Sequence, residues 1–178
     1  MQRRVILYIA MSLDGFIAGE NDDLRFLETV QVEGEDYGYE SFQQEIDTLI
    51  WGRKTYDVVQ SFGIEFPHKD KTCYVISSSR SGHNEYIEYR SDVVSLIQEL
   101  KSKPGKHIYC DGGASIVNEL LKHNLLDELR ITIIPHLVGK GVRLFSNDRD
   151  QQTLQLTRTV SFPTGAVQNW YTVIHKTD

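Results

Sequence analysis

The first pattern in the chain is an abrupt change from polar to apolar. Met-Gln-Arg-Arg gives way to Val5-Ile-Leu-Tyr-Ile-Ala10, a run with the length and β-branched content of a buried strand. Similar short runs recur further on, and between them apolar residues return every three or four positions, the period of a helix with one buried face. The pattern predicts strand 4–10, a long loop to about 25, helical material around 37–46 and strand 48–51. It continues with helix 53–61, strand 72–77, a short strand 86–89, helix 91–101, strand 107–111, helix 114–123 and strand 128–134. Ser91 is the expected N-cap of helix 91–101, whose Val94, Ile97 and Leu100 share a face. Lys122-His123-Asn124 suits the close of helix 114–123: cations near the negative dipole end, then an Asn that tolerates left-handed backbone. The tail changes character. Extended runs at 154–162 and 167–175 flank Pro163-Thr164-Gly165, a hairpin signal. The expected class is α/β: a mixed, mostly parallel sheet flanked by helices on both faces, with a C-terminal antiparallel hairpin.

Composition narrows the class of protein. At 178 residues, 40% hydrophobic and 25% charged, the chain reads as one globular domain, 1–178, with no linker or repeat. A net charge of −6 with no basic face speaks against nucleic acid as a partner. No apolar run approaches the ~20 residues of a membrane span, and the apolar stretch after Arg4 is too short for a secretion signal, so a cytoplasmic protein is expected. Cys73 and Cys110 lie inside predicted strands and read as buried thiols rather than a disulfide. The six histidines show no metal-ligand spacing, and no metal is expected.

The chemistry sits where strands end. Strand 107–111 runs into Gly112-Gly113, and a helix begins at once; the unpaired amides and positive dipole end of such a start suit a phosphate. The plain alternative is a tight strand-to-helix turn. The chain makes the move twice, however: strand 48–51 ends at Gly52, and Arg53-Lys54-Thr55 opens the next helix with two cations and a hydroxyl. Strand 72–77 then leads to Ser77, Ser78 and Arg80. Together these exits point to one dinucleotide lying across the carboxyl edge of the sheet. Neither Gly-x-Gly-x-x-Gly after the first strand nor a P-loop is present, so the site is of another make.

Ser12-Leu-Asp-Gly-Phe-Ile-Ala18, Gly52-Arg-Lys-Thr-Tyr56, Asp111-Gly-Gly-Ala114, Gly139-Lys-Gly141 and Leu144-Phe145, in this order, resemble the dihydrofolate reductase fold. The nearest branch is the reductase domain of bacterial riboflavin biosynthesis (RibD C-terminal domain-like). The resemblance implies that Ala10 and Ile17 flank a nicotinamide and that Ser12 to Asn21 forms a mobile loop over it. It implies a pyrophosphate held by Gly52, Arg53, Lys54 and Thr55 and by Gly112, Gly113, Ala114, Ser115 and Ile116. It places the adenosine end at Ser77, Ser78 and Arg80, and implies a cis bond between the two glycines. With Arg53, Lys54 and Arg80 nearby, NADPH is the expected cofactor. Counting back from Gly52, Asp36 falls where dihydrofolate reductases keep their substrate carboxylate; its acidic, Gly-flanked context favours a solvated loop acid instead, and Tyr39 and Glu40 are rivals. The implied activity is NADPH-dependent hydride transfer to a small heterocycle of pyrimidine or pteridine type, such as 5-amino-6-(5-phosphoribosylamino)uracil. The alternatives are a true dihydrofolate reductase and a non-catalytic NADP-binding sensor or scaffold. In the riboflavin branch dimers are usual, so a homodimer is expected. Asp14, before Gly15, reads as a turn former.

Overall fold

Strand β1 (Val5–Ser12) is the centre of the molecule, because its residues are apolar on both sides of the pleat. In this computed structural model, which describes residues 2–147 and 149–175, Val5 and Leu7 face one layer of helices while Ile6 and Tyr8 face another. Burial on both faces is what a parallel sheet requires, and it explains why these runs are continuous rather than alternating.

Parallel to β1 on one side runs β6 (His107–Gly112), then β3 (Ile46–Gly52), β4 (Thr72–Ile76) and β5 (Ile87–Arg90). On its other side lie β7 (Glu128–Ile134), parallel to it, and the hairpin of β9 (Thr153–Ser161) and β10 (Val167–Ile174). β10 pairs antiparallel with both β7 and β9, completing an eight-stranded sheet. The expected class is therefore the observed one.

Helices α3 (Val93–Lys101) and α4 (Ala114–Lys122) cover one face with Leu96, Ile97, Val117 and Leu120. Helices α1 (Tyr39–Glu45) and α2 (Arg53–Ser61) cover the other, with Phe42 and Tyr56 packed among Ile6, Leu49, Trp51 and Val75. Cys73 and Cys110 are buried and unpaired.

Two local expectations need correction. The N-cap of α3 is Asp92, not Ser91: the Asp92 carboxylate accepts from the Val94 and Ser95 amides, and a carboxylate also favours the positive end of the helix dipole. The expected loop to residue 25 instead holds β2 (Phe16–Gly19) and a 3-10 turn, Glu20–Asp22, with a second turn, Arg25–Val30, beyond. β2 pairs with a three-residue partner, β8 (Gly141–Arg143), an exposed strand too short to leave a periodic signal. At Gly141 a side chain would lie 2.1 Å from the Ala18 carbonyl oxygen, so this crossing requires glycine.

Candidate functional site

The two glycine exits meet. Trp51 of β3 pairs with Gly112 of β6, which brings the starts of α2 and α4 side by side at the carboxyl edge of the sheet. A methyl group on Gly52 would lie 3.2 Å from Ile116 Cγ1 and 3.4 Å from the Gly113 amide nitrogen, and one on Gly113 would lie 3.1 Å from Thr55 Oγ1. A side chain at either place would push its neighbours back by a few tenths of an ångström. Gly112 adopts φ +102, and the Gly112–Gly113 peptide is cis. Neither α2 nor α4 has a side-chain cap, whereas α3, of the same length, is capped by Asp92. Two nine-residue helices therefore present uncapped amides at one point, the arrangement that suits an anion.

Cations gather beside it, already engaged with an acid. Arg53 Nη1 donates to Asp57 Oδ2 at 2.8 Å, and Arg80 donates to both Asp57 oxygens at 2.6 and 3.1 Å. This doubly bridged position holds the Asp57 carboxyl below its usual range, Arg80 being the main cause. Lys54, Ser78 and Ser115 are exposed. Ser77 is buried, and its oxygen accepts from the amides of Ser79 and Arg80, so it shapes the turn after β4.

Next to the glycine exits, across β1, is an open cleft of about 460 Å³. Ala10 stands on its wall with Tyr8, Tyr37, Tyr39, Thr132 and Ile134. Its polar floor is tied together: Gln168 Nε2 lies within hydrogen-bond distance of the Tyr8 hydroxyl, the Tyr37 carbonyl and Thr132 Oγ1, and Gln168 Oε1 accepts from Trp170 Nε1. A floor satisfied in this way is rigid. Asp36 lies at the exposed mouth, where its oxygens accept from the Gly38 and Glu40 amides at 2.8 Å. These bonds push its pKa down, the Glu40 amide foremost, so the carboxylate stays ionised at the start of α1.

The residue that strand and helix periodicity did not single out is Asp111. It precedes the glycine pair on β6; its Oδ2 accepts from Trp51 Nε1 and its Oδ1 from the Tyr109 hydroxyl. Loss of water pushes its pKa up, against the lowering effect of both bonds. The Tyr109 hydroxyl also lies 3.1 Å from the Tyr8 carbonyl. Tyr39, edge-on to Tyr109 at 6.5 Å, has its own pKa raised, first by burial and then by the Asp111 charge. An aspartate inside an otherwise apolar run was the available signal.

The stretch Ser12 to Asn21 is tied down. Asp14 accepts from the Val138 and Gly139 amides and shapes a turn, as expected; the Leu13 amide donates to the His136 carbonyl, and the Leu144 amide to the Gly15 carbonyl. Ile17 packs on the α3–α4 side of the core. Asn21 lines a neighbouring hollow with Glu20, Asp23, Arg25, His136 and Lys140 rather than the cleft. Among the described residues no cluster of His, Cys, Asp or Glu could hold a metal ion, and no helix is long and apolar enough to cross a membrane.

Paired uncapped helix starts in close contact at two glycines, and an adjoining aromatic cleft, on this sheet order, define a dihydrofolate reductase-like α/β protein. The chain belongs to the RibD C-terminal domain family, whose model matches residues 67–168. It is 38% identical to the Bacillus subtilis (strain 168) protein YwjB over 91% of this chain and 94% of that one. A structure from Shewanella sp. PV-4, provisionally assigned to riboflavin biosynthesis, is 29% identical with a TM-score of 0.89, covering 98% of this chain and 100% of that one. Enterococcus faecalis dihydrofolate reductase, solved with NADP(H), shares the fold at 16% identity and a TM-score of 0.69, over 97% and 98% of the two chains.

Proposed function

We propose that the protein is an NADPH-dependent reductase of a small heterocycle, of pyrimidine or pteridine type. The observation that carries this reading is the contact between two uncapped helix starts, flanked by Arg53, Lys54 and Arg80 and opening beside an aromatic cleft. The residues present fit a dinucleotide. Amides of the Gly52–Thr55 and Gly113–Ile116 segments would hold its pyrophosphate, and the cations would favour the additional phosphate of NADPH over NADH. Ala10 and Ile17 would flank the nicotinamide, which when bound supplies a hydride.

The chain itself then has to supply orientation and a proton. In this reading Asp111, whose sheltered carboxyl has a raised pKa and is bonded to the Tyr109 hydroxyl, is assigned the role of proton source. Asp36 does not serve as donor, because its environment keeps it ionised. Its place at the cleft mouth does favour a second reading, true dihydrofolate reductase. Displacement by methotrexate separates the two.

The first reading is tested by titrating NADPH and NADH into the full chain and an Arg53→Ala/Lys54→Ala variant. Micromolar binding of NADPH, much weaker binding of NADH, and loss of the difference in the variant are expected. Failure of both nucleotides to bind would remove the reading.

A further inference from the structure

We propose that the substrate of this cleft carries no phosphate and is a neutral or cationic nitrogen heterocycle. The inference rests on the cleft being the substrate site, as above, and concerns what that site selects. Three tyrosines, Tyr8, Tyr37 and Tyr39, give it flat aromatic walls. Its charged residues are Glu28, Glu35 and Asp36, and no Lys, Arg or His is among the residues lining it.

These acids are not neutralised by neighbours. Among the described residues none of the three has a cationic side chain within ion-pair distance. Arg25, which feels the Glu28 charge, is held by Asp23 through both carboxylate oxygens. Asp36 remains ionised, and Glu35 Oε1 accepts from the Tyr37 amide. The neighbouring hollow mixes Arg25, His136 and Lys140 with Glu20 and Asp23, and its Arg25 is already paired with Asp23. Arg143, the other basic residue of that segment, lies against the Phe16 ring and donates to the Asp14 carbonyl.

Charge is thus segregated across the site. Cations stand at the α2 and β4 exits, where a dinucleotide phosphate would lie, and uncompensated carboxylates stand at the cleft. A dianion entering the cleft would meet three like charges, whereas a heterocycle with N–H donors would find acceptors at the rim and aromatic faces inside. Repulsion of this kind is how a site rejects a ligand that otherwise fits its shape.

The test uses the NADPH-loaded full chain and three probes: 2,4-diaminopyrimidine, uridine and uridine 5′-phosphate, followed by chemical-shift titration. The first two are expected to bind at least about tenfold more tightly than the phosphate. In a Glu28→Gln/Glu35→Gln variant, which keeps the Asp36 bonds to the Gly38 and Glu40 amides, that gap is expected to shrink severalfold. Equal or tighter binding of uridine 5′-phosphate than uridine, no binding of any probe, or a gap unchanged in the variant would overturn the proposal. Absence of NADPH binding in the first step would overturn the reductase reading and this inference together. Preference for the phosphate on NADPH-loaded protein overturns this inference alone.

Discussion

At the residue scale the informative groups are acids whose neighbours change what they can do. Asp57 joins Arg53 and Arg80, so the local charge available to a phosphate is less than two guanidinium groups suggest. Replacing it by Asn frees one unit of positive charge, and we expect the preference for NADPH over NADH to rise by up to about fivefold at low salt, the worth of one exposed ion pair. Competitive titration of the two nucleotides reads this; a fall instead would show that the carboxylate holds the guanidiniums in their working positions. Asp111 is the opposite case, with its pKa raised by burial. A carboxyl raised in the folded state contributes stability that is fully present below its unfolded pKa and is lost as pH rises through the folded value. Asn at 111 can satisfy the same partners: its oxygen accepts from Trp51, and its amide donates to a Tyr109 hydroxyl turned toward the Tyr8 carbonyl. The melting temperature of Asp111→Asn should therefore gain on the parent as pH climbs from the acid range toward neutrality. Parallel curves would show that Asp111 does not titrate as its surroundings require.

Elements differ in how far the sequence discloses them. The starts of α2 and α4 were legible because a glycine at a strand exit, followed by helical periodicity, leaves few other conformations, and β7 and helix 53–61 match their expected bounds. β2 and β8 were not legible: four and three residues carry no period, and their pairing depends on Gly141 approaching a distant carbonyl. The cleft could not be read either, since Tyr8, Tyr37, Thr132 and Gln168 come from separate parts of the chain and share hydrogen bonds only after folding. Asp92 was missed for a smaller reason, a one-residue choice between two capping side chains. That choice can be checked. Asp92→Ala should cost about 1 kcal/mol in chemical denaturation, and Ser91→Ala much less. The reverse ranking would restore Ser91 as the cap.

At the scale of the molecule, the helices do not cover the whole sheet. α4 and its neighbours reach Val173 of β10, which is buried, but β9 lies outboard as an edge strand of nine residues. Leu154 and Leu156 are paired across to Val173 and Tyr171, which puts all four on the same face, and the two leucines are 40% and 54% exposed. Ile174 adds a further exposed apolar side chain at 43%. On the opposite face Trp170 lies between the guanidiniums of Arg130 and Arg158 at 3.8 and 4.7 Å. Trp170 therefore stacks inside its own chain rather than awaiting a partner. A long unpaired edge with apolar side chains is a liability that association removes. We expect a homodimer built on the β9 edge and the Leu154–Leu156 face, by contacts that are the same on both subunits. Sedimentation should give twice the chain mass at micromolar concentration, and Leu154→Glu/Leu156→Glu should give a folded monomer, because neither side chain belongs to the buried core. A monomeric parent would remove the dimer. A dimeric double variant would move the interface elsewhere. The α2 and α4 exits lie on the other side of β1 from the hairpin, with β7 between β1 and β10, so the monomeric variant should keep its NADPH affinity within about twofold. Loss of that affinity would mean that assembly helps to shape the cofactor site.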